Sequence, residues 1–241
     1  MSHMQGFPGF PQEGLQFLEQ LAMNNNREWF EAHKESYQTY LLEPVQAFIT
    51  ALGIKLQAIS DAIHGDTRTD GTGVLMRIYR DTRFSQDKSP YKTTISVLFW
   101  EGIGKKTESP AFGFQLEPGG MGLMEGVFKF PKQALEAYRN AVIDEQLGSE
   151  LERNLAFVRK AGEYKVAGEH YKRVPNGYNP HHRRANLLRH DGLYVSPPTI
   201  EPYRLITPEL VDICFEHFQR MSPVQQWLVK ALGNTEVQRE A

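Results

Sequence analysis

Apolar residues recur three and four apart over the first sixty positions, the spacing of one helix face. Leu15, Leu18 and Leu21 predict a helix over 13–23. Trp29, Phe30, His33, Tyr37 and Leu41 continue the period after three asparagines. Asn25 followed by Glu28 has the form of a capping box for that second helix. Pro44, tolerated in a first turn, opens a third over 44–59, with Val45, Phe48, Ile49, Leu52 and Leu56 inward. After the polar connection 61–73 the period drops to two. Met76, Ile78 and Arg80 alternate with Arg77, Tyr79 and Asp81, and Ile95, Val97 and Phe99 alternate with Thr94, Ser96 and Leu98. Phe112, Phe114 and Leu116 line one side of 111–116, and 121–130 returns across the turn Glu117-Pro118-Gly119-Gly120. Helical spacing resumes from Pro131 to about 145, then behind a Ser149/Glu152 capping box to about 160. Two more helices are predicted behind Thr207-Pro208 and behind Ser222-Pro223, while 164–202 carries no sustained period.

Strands grouped together between helices, rather than alternating with them, predict an α+β fold. The expected core is an antiparallel sheet of about four or more strands in the middle of the chain, from about 74 to 130, covered by N-terminal and C-terminal helices. A length of 241 residues suits one domain over 7–232. Residues 1–6, opening Met1-Ser2-His3-Met4, read as a tag scar and a disordered lead, and 233–241 as a frayed tail.

Composition changes this picture mainly by exclusion. The formal charge is −2, so a generic polyanion binder, basic as a whole, is disfavoured. The single cysteine, Cys214, can form no intrachain disulfide and no Cys-based zinc site, and reads as a small buried residue. His181 and His182 are adjacent and make a poor chelate, and no His-Glu-x-x-His occurs, so no metal is expected. Neither a dinucleotide fingerprint nor a phosphate loop is present, and the 102–106 glycine–lysine stretch reads as a solvated turn; no cofactor is expected. No apolar run reaches the ~18 residues of a membrane span and no signal peptide is visible, so no membrane partner and a cytoplasmic address are expected.

Charge is concentrated in one place. Between Arg77 and Lys92, five cations (Arg77, Arg80, Arg83, Lys88, Lys92) face only Asp81 and Asp87, a local charge of +3. Tyr79, Phe84 and Tyr91 interleave them. Guanidinium forks suit bidentate recognition of carboxylate or phosphate. Arg77, Tyr79, Arg80, Arg83, Lys88, Tyr91 and Lys92 are therefore the candidate ligand-binding residues for a small anionic molecule, phosphorylated molecules included. The opposing reading is a self-neutralising network in which both aspartates pair with these cations and pin the loop. Asp81 is a weak catalytic candidate, because neighbouring arginines favour its ionised form. Secondary candidates are Asn25, Asn26 and Arg27 at a helix start, and Lys172, Arg173 and Tyr178 in the irregular region. Three functions remain open: an enzyme or binding protein for a small anion, a nucleic-acid-binding module that adds Arg183 and Arg184 to this basic and aromatic mixture, and a structural or interaction protein without ligand.

The stretches Asn24-Asn25-Asn26-Arg27-Glu28-Trp29-Phe30, 77–94 and 172–178 resemble a bacterial family, with some fungal members, known only as a conserved domain of unknown function. The resemblance spans about 7–232 and rests chiefly on the long Arg-Ile-Tyr-Arg-Asp-Thr-Arg-Phe-Ser core. It implies one domain over the full length. It supplies no activity, cofactor or catalytic residue.

Overall fold

Helix α1 (Gln12–Met23) buries Leu15, Phe17, Leu18 and Leu21, the face its spacing predicts. Beyond it, the expected single helix is broken into three pieces. Helix α2 (Arg27–Ala32) and the one-turn α3 (Lys34–Ser36) lead into a π-helical segment, Tyr37–Leu42, and then α4 (Glu43–Leu56) with Pro44 in its first turn. The wider π turn breaks the 3.6 period, and the neighbours Leu41 and Leu42 are both buried. A computed structural model describes residues 6–102 and 104–233; the tag-like opening, Ile103 of the glycine–lysine turn and the expected tail from 234 lie outside the described residues.

Five strands follow: β1 (Ile95–Trp100), β2 (Ala111–Glu117), β3 (Gly120–Val127), β4 (Lys165–Glu169) and β5 (His190–Ser196). They form one antiparallel sheet in the order β1-β2-β3-β5-β4, with helices before and after it in the chain. The α+β expectation holds. Two strand assignments differ. Residues 76–81 are extended but form no strand: the segment meets β1 at the isolated bridge Leu75↔Val97, where Met76 N–H donates to the Ser96 carbonyl, and meets Tyr91 at the bridge Tyr79↔Tyr91. Beyond that bridge the Asp81 and Asp87 side chains accept from the backbone N–H groups of Arg83 and Ser89, which diverts those donors from a ladder. Conversely, β4 and β5 emerge from the stretch without a period, paired at Val166↔Val195 and Ala167↔Tyr194.

The C-terminal helices are α5 (Lys132–Ile143), α6 (Glu145–Lys160), the short α7 (Ala185–Leu188) and α8 (Pro202–Leu205), and α9 (Leu210–Gly233). Helix α6 starts at Asp144, whose carboxylate accepts from the N–H groups of Gln146 and Leu147 at 2.9 and 2.7 Å, and not at Ser149. Helix α9 runs through Pro223 instead of restarting there. The missing proline N–H leaves the Gln219 carbonyl without its usual donor, and the Ser222 hydroxyl donates to that carbonyl at 2.8 Å.

The chain divides into two compact units. The first comprises residues up to 99, 113–123 and 199–216. Phe7, Phe10 and Phe48 meet at its centre with ring centroids 4.9–5.3 Å apart, and Phe114 lies edge-on to Phe48 at 5.2 Å. Cys214 is buried there against Met121, as its apolar context predicts. The second unit comprises 100–112, 124–198 and residues from 217. Its core includes Trp227, which donates from Nε1 to the Leu147 carbonyl at 2.8 Å, and Tyr138, stacked on Phe130 at 4.8 Å. Among the described residues no helix is long and apolar enough to cross a membrane.

Candidate functional site

The three asparagines at the start of α2 have three different tasks. Asn24 donates from Nδ2 to the Gln20 carbonyl at 2.9 Å, closing α1. Asn26 caps α2, accepting from the Trp29 N–H at 2.9 Å, one residue later than the sequence suggests. Asn25 reaches the far segment: Nδ2 donates to the Tyr91 carbonyl at 2.9 Å and Oδ1 accepts from the Tyr91 N–H at 3.1 Å. Its amide thus serves Tyr91 as a neighbouring strand would. Arg27 is exposed at the first position of α2. Asn25→Ala leaves both Tyr91 backbone groups without that partner; a loss of about 1–2 kcal/mol is expected in a denaturant titration, with Asn24→Ala costing less.

The basic stretch is a narrow hairpin. Arg80 N–H donates to the Pro90 carbonyl at 2.9 Å and Lys92 N–H to the Ile78 carbonyl at 2.7 Å. Below this closure Ile78 and Tyr91 are buried, while Arg77 and Tyr79 face outward, the alternation expected of an extended chain. Phe30 stacks on the Tyr91 ring at 4.0 Å, and Tyr79 leans on Tyr91 at 5.4 Å.

Beyond the closure the cations are committed. Arg83 forms a fork to Asp81, Nε to Oδ1 at 2.9 Å and an η nitrogen to Oδ2 at 2.7 Å. These bonds bring the Asp81 carboxyl down to about 2, so it stands as an ionised anchor with both oxygens occupied, in a geometry that suits bracing better than catalysis. Arg80 pairs with Asp87. Asp87 also accepts from the Ser89 N–H and hydroxyl at 2.9 and 2.6 Å, and Ser89 and Arg80 together hold its carboxyl well below the usual range. Lys88 donates to the Thr82 carbonyl at 2.9 Å. Phe84, 96% exposed, stands at the loop tip under the Arg83 guanidinium.

Two cations of the stretch differ. Arg77 and Lys92 make no side-chain hydrogen bond or ion pair among the described residues. The Lys92 ammonium is pushed below its ordinary value by burial and by the charge of Arg77. Arg77 also forms part of the wall of a cleft of about 440 Å³ between α2, the π-helical segment and 75–79. Phe30, Leu42, Leu75 and Ile78 make its buried floor. The Tyr37 phenol at its side is pushed up to about 12 by burial and by Tyr79, so it is a proton donor, not a base, at neutral pH. Tyr79 divides this cleft from a second of about 360 Å³ that includes Arg27, Arg80 and Tyr91.

The remaining candidates belong to the second unit. Lys172 and Arg173 are exposed, and Tyr178 lies 5.9 Å from the Arg139 guanidinium, which also covers Tyr171 at 5.2 Å. Arg183 and Arg184 are bound to α6 through Glu152 and Ser149. With Arg184 0% exposed, it presents nothing to a nucleic acid. No cluster of three metal-ligating side chains occurs among the described residues. Sequence reasoning passed over Glu125, a fully buried carboxyl in the second unit; its place in the alternation Leu123, Glu125, Val127 was the available signal.

A family model described as a conserved hypothetical protein matches residues 13–227. No curated protein and no solved structure matches the chain.

Proposed function

The chain belongs to this conserved hypothetical protein family, DUF2461, and we propose that its first unit binds a small anionic ligand in the cleft beside Arg77. The observation that carries the proposal is Arg77 itself: an exposed guanidinium without an ion pair among the described residues, on the wall of a cleft with an apolar floor. A volume of about 440 Å³ is that of a small-molecule site. An anion held at Arg77 also offsets the repulsion that, after burial, depresses the Lys92 ammonium.

The proposal is narrower than a five-cation pocket. Arg80, Arg83 and Lys88 have donors committed to the loop they close, which supports a bracing role for residues 80–89. The nucleic-acid alternative gains no support from this geometry, since a phosphate backbone needs several uncommitted cations in a row.

Thermal melting with 3-phenylpropionate tests the reading. A ligand that binds only the folded state raises the melting temperature. The expected outcome is a concentration-dependent rise in the wild type that Arg77→Ala abolishes and Arg83→Ala retains. Arg83 and Asp81 are both largely exposed, so Arg83→Ala by itself should leave the melting temperature almost unchanged. No rise in the wild type, or an equal rise in Arg77→Ala, sinks the proposal.

A further inference from the structure

Asp70 forms part of the same cleft wall as Arg77. Its Oδ1 accepts from the Thr72 N–H at 2.8 Å and the Thr72 hydroxyl at 2.6 Å, while Oδ2 has no hydrogen bond from another residue among the described residues. These Thr72 bonds, with Arg68 nearby, hold the carboxyl below its ordinary range, so it is charged at neutral pH. Arg77 lies across the next residue: a Cβ on Gly71 would stand 2.8 Å from Arg77 Cγ and 3.1 Å from Cδ. Gly71 also has a φ of +88°, which favours glycine, so two separate demands keep a side chain out of the seat of Arg77. An anion and a cation thus share one wall, and no ion pair joins them.

We propose that the ligand of this cleft is a zwitterion, an α-amino acid or peptide end with an apolar side chain, whose carboxylate meets Arg77 and whose ammonium meets Asp70. The inference rests on the reading of Arg77 as an anion site and adds the second charge. The carboxylate of the ligand takes the guanidinium, with its fixed fork. The ammonium takes Asp70 Oδ2. The side chain covers the apolar floor made by Phe30, Leu42, Leu75 and Ile78. Asp70 then acts against the competitors: a ligand with anionic charge alone meets a carboxylate that repels it, and a dianionic phosphate meets it more strongly. Glu31 pairs with Lys34, the other cation lining the cleft, which leaves Arg77 as its uncommitted one among the described residues.

L-phenylalanine and 3-phenylpropionate differ only in the α-ammonium and separate the two layers of this reading. Calorimetric titration of the full chain should give at least tenfold tighter binding of phenylalanine. Asp70→Asn keeps an Oδ1 for Thr72 and so keeps the turn. It should lower phenylalanine affinity to that of phenylpropionate, while phenylpropionate binding holds or improves. Arg77→Ala should weaken both ligands. Phenylpropionate bound as tightly as phenylalanine, or an affinity ratio unchanged in Asp70→Asn, overturns the zwitterion and leaves the anion site standing. Binding of neither ligand, or binding indifferent to Arg77→Ala, overturns the anion site and the zwitterion with it.

Discussion

Replacing Glu125 by leucine should stabilise the protein, by on the order of 2–4 kcal/mol at pH 8 and by less at pH 4. Glu125 is fully buried in β3 on the side of Met121, Leu123 and Val127, and neither carboxyl oxygen has a hydrogen-bond partner among the described residues. Burial raises its pKa well above the ordinary 4.5. The linkage has a definite sign. Below pH 4.5 the folded and unfolded states both hold the proton, and the group adds no slope. Above it the unfolded chain releases the proton while the folded chain retains it, so the folded state binds more protons and stability falls as pH rises. The fall continues until pH passes the raised folded value. Every other titrating group is shared by wild type and variant, so the difference between their stability–pH curves isolates Glu125. Glu125→Gln, which keeps the shape without the charge, should match wild type near pH 4 and exceed it at pH 8. Parallel curves for all three proteins would mean that Glu125 has a partner or water access that this geometry lacks.

A sequence pattern gives the face a strand residue occupies, not whether that face has a polar partner. Glu125 sits where the alternation puts an apolar residue, and that conflict was visible in the residues themselves. Gln225 in α9 is a second case, fully buried in the same unit with both amide atoms unbonded among the described residues. Strands β1 to β3 were legible because their periods are clean and their turns short. Strand β5 was hidden because Asp191 holds the place in the alternation ahead of Leu193 and Val195, which are both fully buried.

The candidate site was legible as a location and not as an arrangement. Five cations against two carboxylates suggested convergence, but Asp81 and Asp87 can bond nearby backbone and guanidinium groups, and the two aspartates tie two arginines into a loop. Which cations remain uncommitted depends on distances of a few ångströms, and no spacing rule supplies those. Asn25 is the same lesson in the other direction. Its bond to Tyr91 crosses 66 residues, so a local capping rule assigned it the wrong task while correctly marking the turn.

Arg184→Ala should be the most damaging of these substitutions, lowering stability by about 3–5 kcal/mol in a denaturant titration. The residue was conspicuous in sequence as the last of His181-His182-Arg183-Arg184, where it suggested a basic surface. Its side chain is instead 0% exposed. Nε donates to Glu152 at 2.9 Å, one η nitrogen to the Val142 and Asp144 carbonyls at 3.3 Å each, and the other to the Ser149 hydroxyl at 2.7 Å. The carbonyls belong to the junction between α5 and α6, so one guanidinium closes a helix end that the chain leaves open. Ser149 and Glu152, spaced like a capping box, face this arginine in place of capping a helix. The guanidinium lies against Gly148, where a Cβ would come within 2.6 Å of an η nitrogen, so Gly148→Ala should also destabilise. Glu152 is partly exposed, and that tempers the Coulomb share of the loss. The two carbonyls and the vacated volume supply the rest. Arg184→Lys distinguishes a fork from a point charge: one ammonium cannot reach four acceptors spread around a planar group, so it should recover only a minor part of the loss. Full recovery by lysine, or a loss below about 1 kcal/mol in the alanine variant, would show that charge alone or nothing at all holds this junction.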